Sequence, residues 1–207
     1  MIFEQIAVGE MQNFCYLIGD EDSKEAAIVD PAFELGKLLE AAKKHDLAVK
    51  FILITHTHYD HVDGVKEMAD ATGAVVYVHK NGEEYIKNLG VGNLKTIDEN
   101  DIINIGKIEV KVLHTPGHSP TNVCFMIDNK LITGDTLFVE GCGRVDLAGS
   151  DIKKQWNSLE RIKNMDENIE IYPGHDYGSQ KSSTIKHEKE NNPYLKCNDF
   201  EEFSTIR

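Results

Sequence analysis

Four residues of metal-ligand type stand within six positions: His56, His58, Asp60 and His61, in the run THTHYDH at 55–61. Imidazole and carboxylate donors at this density suit Zn²⁺, Fe²⁺, Mn²⁺ or Co²⁺. His56 and His58 are two residues apart, so in extended backbone they project to the same side. Asp60 and His61 fall where the chain turns toward a helix, and they point elsewhere. One short segment can thus serve two neighbouring metal positions, with the remaining ligands drawn from distant loops. His118, Asp135 and His175 are available for that purpose. His45, His79, His114 and His187 lack such company and read as surface or core histidines.

Each candidate follows an apolar run. FILIT (51–55) leads into His56, KVLHTPG (111–117) into His118, LITG (131–134) into Asp135 and EIYPG (170–174) into His175. If these runs are strands of one sheet, their C-terminal ends line one rim, where loops present side chains that the strands hold rigid. Strands are predicted at 2–8, 14–19, 26–30, 49–55, 74–78, 107–115, 122–127, 130–133 and 167–173, with Asp128-Asn129 as a two-residue hairpin turn. Leu35, Leu38, Leu39 and Ala42 form one apolar helix stripe within 34–45. A second helix is predicted at 62–72, with Val62, Val65, Met68 and Ala69 inward and Gly73 as its stop. A third starts at a Ser150-Asp151 cap and turns Ile152, Trp156, Leu159 and Ile162 inward. The polar stretch 178–207 reads as helix plus loop. About ten strands and four or five helices make a mixed α/β protein of stacked layers.

Composition sets the frame. With 207 residues, 41% hydrophobic and 28% charged, the chain is expected to be one domain over 1–207 with a short helical tail at about 178–207. A net charge of −13 argues against a nucleic-acid backbone or an anionic membrane surface as partner. No apolar stretch approaches the roughly 18 residues of a membrane span. Cys15, Cys124, Cys142 and Cys197 include no CxxC pair, and the N-terminal residues lack a secretory pattern, so a reduced, cytoplasmic protein is expected. The implied partner is a small-molecule substrate; a homodimer is left open.

At these residues the sequence resembles the metallo-β-lactamase superfamily. THTHYDH matches its HxHxDH motif, and TPGHS (115–119), TGD (133–135) and PGH (173–175) match the later motifs in order. The resemblance covers about residues 2–195. It implies a four-layer αββα sandwich, two mixed sheets face to face with helices outside. It further implies one metal held by His56, His58 and His118, a second by Asp60, His61 and His175, and Asp135 as bridge. Two divalent ions, most simply Zn²⁺, are thereby expected. Many β-lactamases of this fold carry cysteine at the position of Asp135, which disfavours antibiotic hydrolysis here.

Within the superfamily the sequence resembles two branches in particular. GDTLFVEGCGR (134–144) is similar to the matching loop of glyoxalase II, the hydroxyacylglutathione hydrolase. That resemblance implies hydrolysis of a thioester such as S-lactoylglutathione through a metal-bridged hydroxide. Asp60 would orient the nucleophile and take its proton, while Arg144 and Tyr177 would hold the thiol half of the substrate. Persulfide dioxygenases share the GCGR-x-D stretch and resemble HDY (175–177), STI (183–185) and NPYL (192–195). That reading implies one Fe²⁺ on His56, His118 and Asp135, oxidising glutathione persulfide. Tyr59, a bulky aromatic inside the first motif, is more typical of the thioester hydrolases. Lactones and other esters are the lesser alternative, and Cys142, between glycines, reads as part of a backbone turn near the site.

Overall fold

The computed structural model describes residues 1–206. Among them, twelve strands and seven α-helices build two sheets with helices on their outer faces. The first sheet contains β1 (Ile2–Val8), β2 (Asn13–Asp20), β3 (Glu25–Val29), β4 (Ala48–Leu53), β5 (Val75–His79) and β6 (Leu94–Ile97), side by side in that order. Its first three strands are antiparallel, and β3 to β6 run parallel. The second sheet is β7 (Ile102–Ile105), β8 (Ile108–His114), β9 (Val123–Ile127), β10 (Lys130–Gly134), β11 (Glu170–Pro173) and β12 (Ser183–Thr184). Only β10 and β11 pair in parallel there.

The period-2 alternation of the strands sorts residues between layers. Phe14, Tyr16 and Ile18 of β2 face the second sheet, where they meet Val110, Val112, Phe125 and Ile132. Cys15 and Leu17 face the other way, toward Leu38 and Ala42 of α1 (Leu35–Lys44) and Met68 of α3 (Val65–Thr72). The outer face of the second sheet is covered by Trp156, Leu159 and Ile162 of α5 (Ile152–Lys163), Ile185 of α6 (Ile185–Asn191) and Phe203 of α7 (Phe200–Ile206). Asp151 caps α5 as predicted, accepting from the backbone N–H groups of Lys153 and Lys154. The hairpin at Asp128-Asn129 is also present, with Ile127 opposite Lys130.

Two expectations needed correction. The ligand-bearing strands do not share one sheet: β4 lies in the first, while β8, β10 and β11 lie in the second. The site therefore spans the end of the sandwich. The helix predicted at 62–72 starts earlier and is broken into α2 (Tyr59–Val62) and α3. Gly64 sits at the break, where a Cβ would stand 2.7 Å from the Pro31 carbonyl and 2.9 Å from that of Ala32. The uncounted elements are short ones: β6, β7, β12, α2 and α4 (Glu83–Asn88) span two to six residues, too few to show a period.

Candidate metal centre

The turns after β4, β8, β10 and β11 meet at one end of the sandwich and bring all seven candidate ligands together. His56, His58 and His118 form one group, and Asp60, His61 and His175 another, with potential donor atoms of each within 4.8 Å of one another. His58 is extended, at φ −69° and ψ 148°, whereas Asp60 and His61 lie on the single turn of α2. The change of backbone conformation inside the motif is what divides it between two groups. Asp135 stands between them. Its Oδ2 is 3.6 Å from His118 Nε2, 3.4 Å from His175 Nε2 and 4.0 Å from His56 Nε2, and its Oδ1 is 3.4 Å from His61 Nε2.

These separations match a coordination shell. Ligand atoms about 2.05 Å from a tetrahedral zinc lie about 3.3 Å apart. His118 Nε2 faces His58 Nδ1 at 2.8 Å, His61 Nε2 faces His175 Nε2 at 3.2 Å, and Asp60 Oδ2 is 3.3 Å from His175 Nε2. His56 Nε2 and Asp135 Oδ1 are buried without a hydrogen-bond partner, a costly arrangement that a cation would relieve. Gly174 leaves room for the carboxylate: a Cβ there would lie 2.4 Å from Asp135 Oδ1.

The surrounding hydrogen bonds fix the imidazole tautomers. His118 Nδ1 donates to the Arg144 carbonyl at 2.7 Å, and His175 Nδ1 to the Met11 carbonyl at 2.9 Å. A carbonyl can only accept, so in the neutral imidazoles both Nε2 lone pairs turn inward. Asp30 performs the same task for two more rings. Its Oδ2 accepts from His61 Nδ1 at 2.9 Å and from Thr55 Oγ1 at 2.5 Å, while Oδ1 accepts from the Thr55 N–H at 2.7 Å. With its hydrogen committed to Asp30, the Thr55 hydroxyl accepts from His56 Nδ1 at 3.1 Å. Asn13 Nδ2 donates to Asp60 Oδ2 at 3.1 Å, and Gln155 Oε1 accepts from the His118 N–H at 2.9 Å.

Charge follows the same plan. Burial pushes the His56 imidazole well below its usual range and brings His58 down to about 4, helped by neighbouring histidines. Burial would also lower His61 and His175, but the surrounding carboxylates prevail: Asp135 foremost raises His61, and Asp135 and Asp60 push His175 up to about 10. Against the cost of burial, His175, His61 and Asn13 hold Asp60 well below the usual carboxylate range. The carboxylates thus demand positive charge at the centre, and a divalent cation would supply it while displacing protons. The donor set fits metal ions. A separate group, His79, Asp98 and His114, shares no residue with these. His79 Nδ1 accepts the Asn81 N–H at 3.3 Å, so in the neutral ring the hydrogen is on Nε2, which is buried without a hydrogen-bond partner 3.4 Å from Asp98 Oδ1.

A cavity of about 650 Å³ opens above the two groups, and Met11, Tyr59, Phe138, Leu147, Arg144 and Tyr177 are in its wall. The Tyr177 ring stacks on His175 at 4.5 Å and meets Phe138 edge-on. Arg144 reaches the cavity but is also paired with Asp146, its Nε and Nη2 donating to the carboxylate at 2.6 Å each. Cys142 lines the same cavity, next to the tight turn in which Phe138 and Gly141 exchange backbone hydrogen bonds. That turn is fastened from behind by α6. Buried Glu188 accepts from the Glu140 N–H at 2.8 Å, from Ser183 Oγ at 2.5 Å and from Asn192 Nδ2 at 2.8 Å, and Asn192 Nδ2 also reaches the Gly141 carbonyl.

Comparison with known proteins identifies the family. The family model described as "Metallo-beta-lactamase superfamily" matches residues 8–175. The chain belongs to this superfamily. Among its members, the chain is similar to the "Probable polyketide biosynthesis zinc-dependent hydrolase PksB" of Bacillus subtilis, 34% identical over 94% of this chain and 87% of that protein. It is 30% identical to the "Hydroxyacylglutathione hydrolase GloC" of Haemophilus influenzae, over 94% of this chain and 98% of the relative. The crystal structure of ETHE1 from Myxococcus xanthus superposes with a TM-score of 0.91 at 31% identity, covering 100% of this chain and 89% of that one. The four-layer fold expected from the motifs is the one these metallo-β-lactamase relatives share.

Motif spacing did not point to Asp30, Thr55, Asn13, Met11 or Gln155. Asp30 offered a signal, because it ends a predicted strand, much as Asp135 follows one. Met11 lies in the β1–β2 turn and Asn13 opens β2, and their approach to His175 is a long-range event with no local signature. No helix among the described residues is long and apolar enough to cross a membrane.

Proposed function

We propose that the chain is a dinuclear metal-dependent thioester hydrolase of the glyoxalase II type, acting in the cytoplasm on a small thiol-linked substrate such as S-lactoylglutathione. The supporting observation is the pair of ligand groups, His56/His58/His118 and Asp60/His61/His175, sharing Asp135 at the floor of one cavity. Two divalent ions, zinc most simply, would supply Lewis acidity there, making water acidic and polarising the thioester carbonyl. The protein's own groups do the rest. Asp60, kept ionised and steered by Asn13, orients the attacking water and accepts its proton. Tyr59, Phe138 and Tyr177 line the wall of the cavity, and Arg144 takes a carboxylate of the thiol half. A thiolate leaves readily, so no strong general acid is required. The names of PksB and GloC, a zinc-dependent hydrolase and a hydroxyacylglutathione hydrolase, support this reading.

The competing reading uses a subset of the same residues. His56, His118 and Asp135 alone form a two-histidine, one-carboxylate face, which suits a single Fe²⁺ and persulfide oxidation. The two readings separate on metal content and a paired assay. About two zinc ions per chain with loss of S-lactoylglutathione supports hydrolysis. About one iron per chain, with oxygen uptake on glutathione persulfide and no thioester loss, would replace it.

A further inference from the structure

Arg144 is the one Lys or Arg among the described residues lining the cavity; the other charged groups there are Asp60, Asp135 and the histidines. Its carbonyl is tied to His118, so its backbone is held in register with the ligand cluster. Its guanidinium is engaged along the Nε/Nη2 edge by both oxygens of Asp146, two residues on. Both side chains are well exposed, at 61% and 66%. An anionic group entering the cavity therefore meets a guanidinium that already has a counterion.

We infer that Asp146 is a specificity-determining residue, an internal competitor that sets how strongly Arg144 holds a carboxylate on the thiol half of the substrate. This rests on the role given to Arg144 under the thioester reading. A guanidinium offers two bidentate edges, Nε/Nη2 and Nη1/Nη2. Asp146 occupies the first. An incoming carboxylate either displaces it or takes the second edge beside a like charge, and binding is weakened in both cases. Because the pair is exposed, it is worth little and is screened by salt, so the exchange is readily reversible. A thiol carrier without a carboxylate does not feel the competition. Asp146 thus narrows the advantage of anionic carriers over neutral ones and speeds release of the anionic thiol product.

The test is binding of S-methylglutathione, which keeps both carboxylates but has no free thiol, and of its diethyl ester, by calorimetry on zinc-loaded protein. Asp146→Asn should tighten S-methylglutathione by roughly two- to five-fold, the range expected for one exposed ion pair. Affinity for the diethyl ester should not change, and the gain should vanish in an Arg144→Gln background. Weaker or unchanged binding by Asp146→Asn overturns the inference. So does equal tightening of acid and ester, a gain that survives Arg144→Gln, or no detectable binding of S-methylglutathione to either protein. Turnover of S-lactoylglutathione by the unmodified protein, followed in parallel, tests the hydrolase reading separately.

Discussion

Asp30→Asn is the substitution whose consequences can be followed atom by atom. The side chain is buried and shaped like its replacement, so the change is one of hydrogen-bond logic. If the new amide oxygen keeps the Thr55 N–H, its NH₂ group faces Thr55 Oγ1 and His61 Nδ1, both of which donate to Asp30 now. The Thr55 hydroxyl can turn and accept, but its hydrogen then points at His56 Nδ1. His56 and His61 must each shift their ring hydrogen to Nε2, which faces the metal position. The opposite amide orientation sets NH₂ against the Thr55 N–H, which is no better. One neutral substitution thus removes an inward lone pair from each ligand group. Loss of an outer partner of a ligating histidine typically costs 10- to 100-fold in metal affinity. Both sites should weaken by about that factor, about 1.4–2.7 kcal/mol each. Competitive zinc titration against a chromophoric chelator reads the two affinities directly. Two zinc ions bound by Asp30→Asn within about threefold of the parent protein would refute the tautomer reasoning.

Three further outcomes are expected. Asp135→Ala removes the carboxylate shared by both groups, so zinc content, and with it the proposed thioester hydrolysis, should fall by more than the 10- to 100-fold loss of an outer partner; normal zinc binding would rule out the proposed bridging role. Gly174→Ala sets a Cβ 2.4 Å from Asp135 Oδ1 and 3.0 Å from His61 Cε1, and should cost about 1–3 kcal/mol in urea unfolding together with bound metal. His79 is brought down to about 4 by burial first and by His114 second. The unfolded chain then binds a proton that the folded chain refuses between about pH 6.5 and 4, so stability falls as pH drops through that window, by at most about 3 kcal/mol. Unfolding of His79→Gln at pH 7 and pH 4.5 should show a flatter decline than the parent, and an identical decline would exclude His79 as its source.

The centre was legible because its residue types are few and its strand ends are marked by apolar runs. His118, Asp135 and His175 each follow a predicted strand, and the resemblance of TPGHS, TGD and PGH to the superfamily motifs is what placed them beside the first histidines. Which strands share a sheet was not legible, since an apolar run records burial and not its neighbour. The short strands β6 and β7 escaped because four residues cannot display a period. Asp30 and Asn13 look like ordinary strand-end polar residues until β3 and the β1–β2 turn fold against the centre. Arg144 was legible through the resemblance of the 134–144 loop to glyoxalase II; that its surface partner is Asp146 depends on a turn that residue type does not specify.

The buried carboxylate of Glu188 and the amide of Asn192 grip the Phe138–Gly141 turn from the side away from the cavity. One wall of the chamber is therefore upholstered from outside the matched span of 8–175. Transplanting the 134–144 loop into another scaffold would carry its letters but leave its backing behind. Conversely, altering α6 offers a remote handle on this cavity wall that leaves every ligand residue untouched. Drift in this C-terminal stretch is then a route by which proteins with one metal centre could come to differ in the shape of this wall.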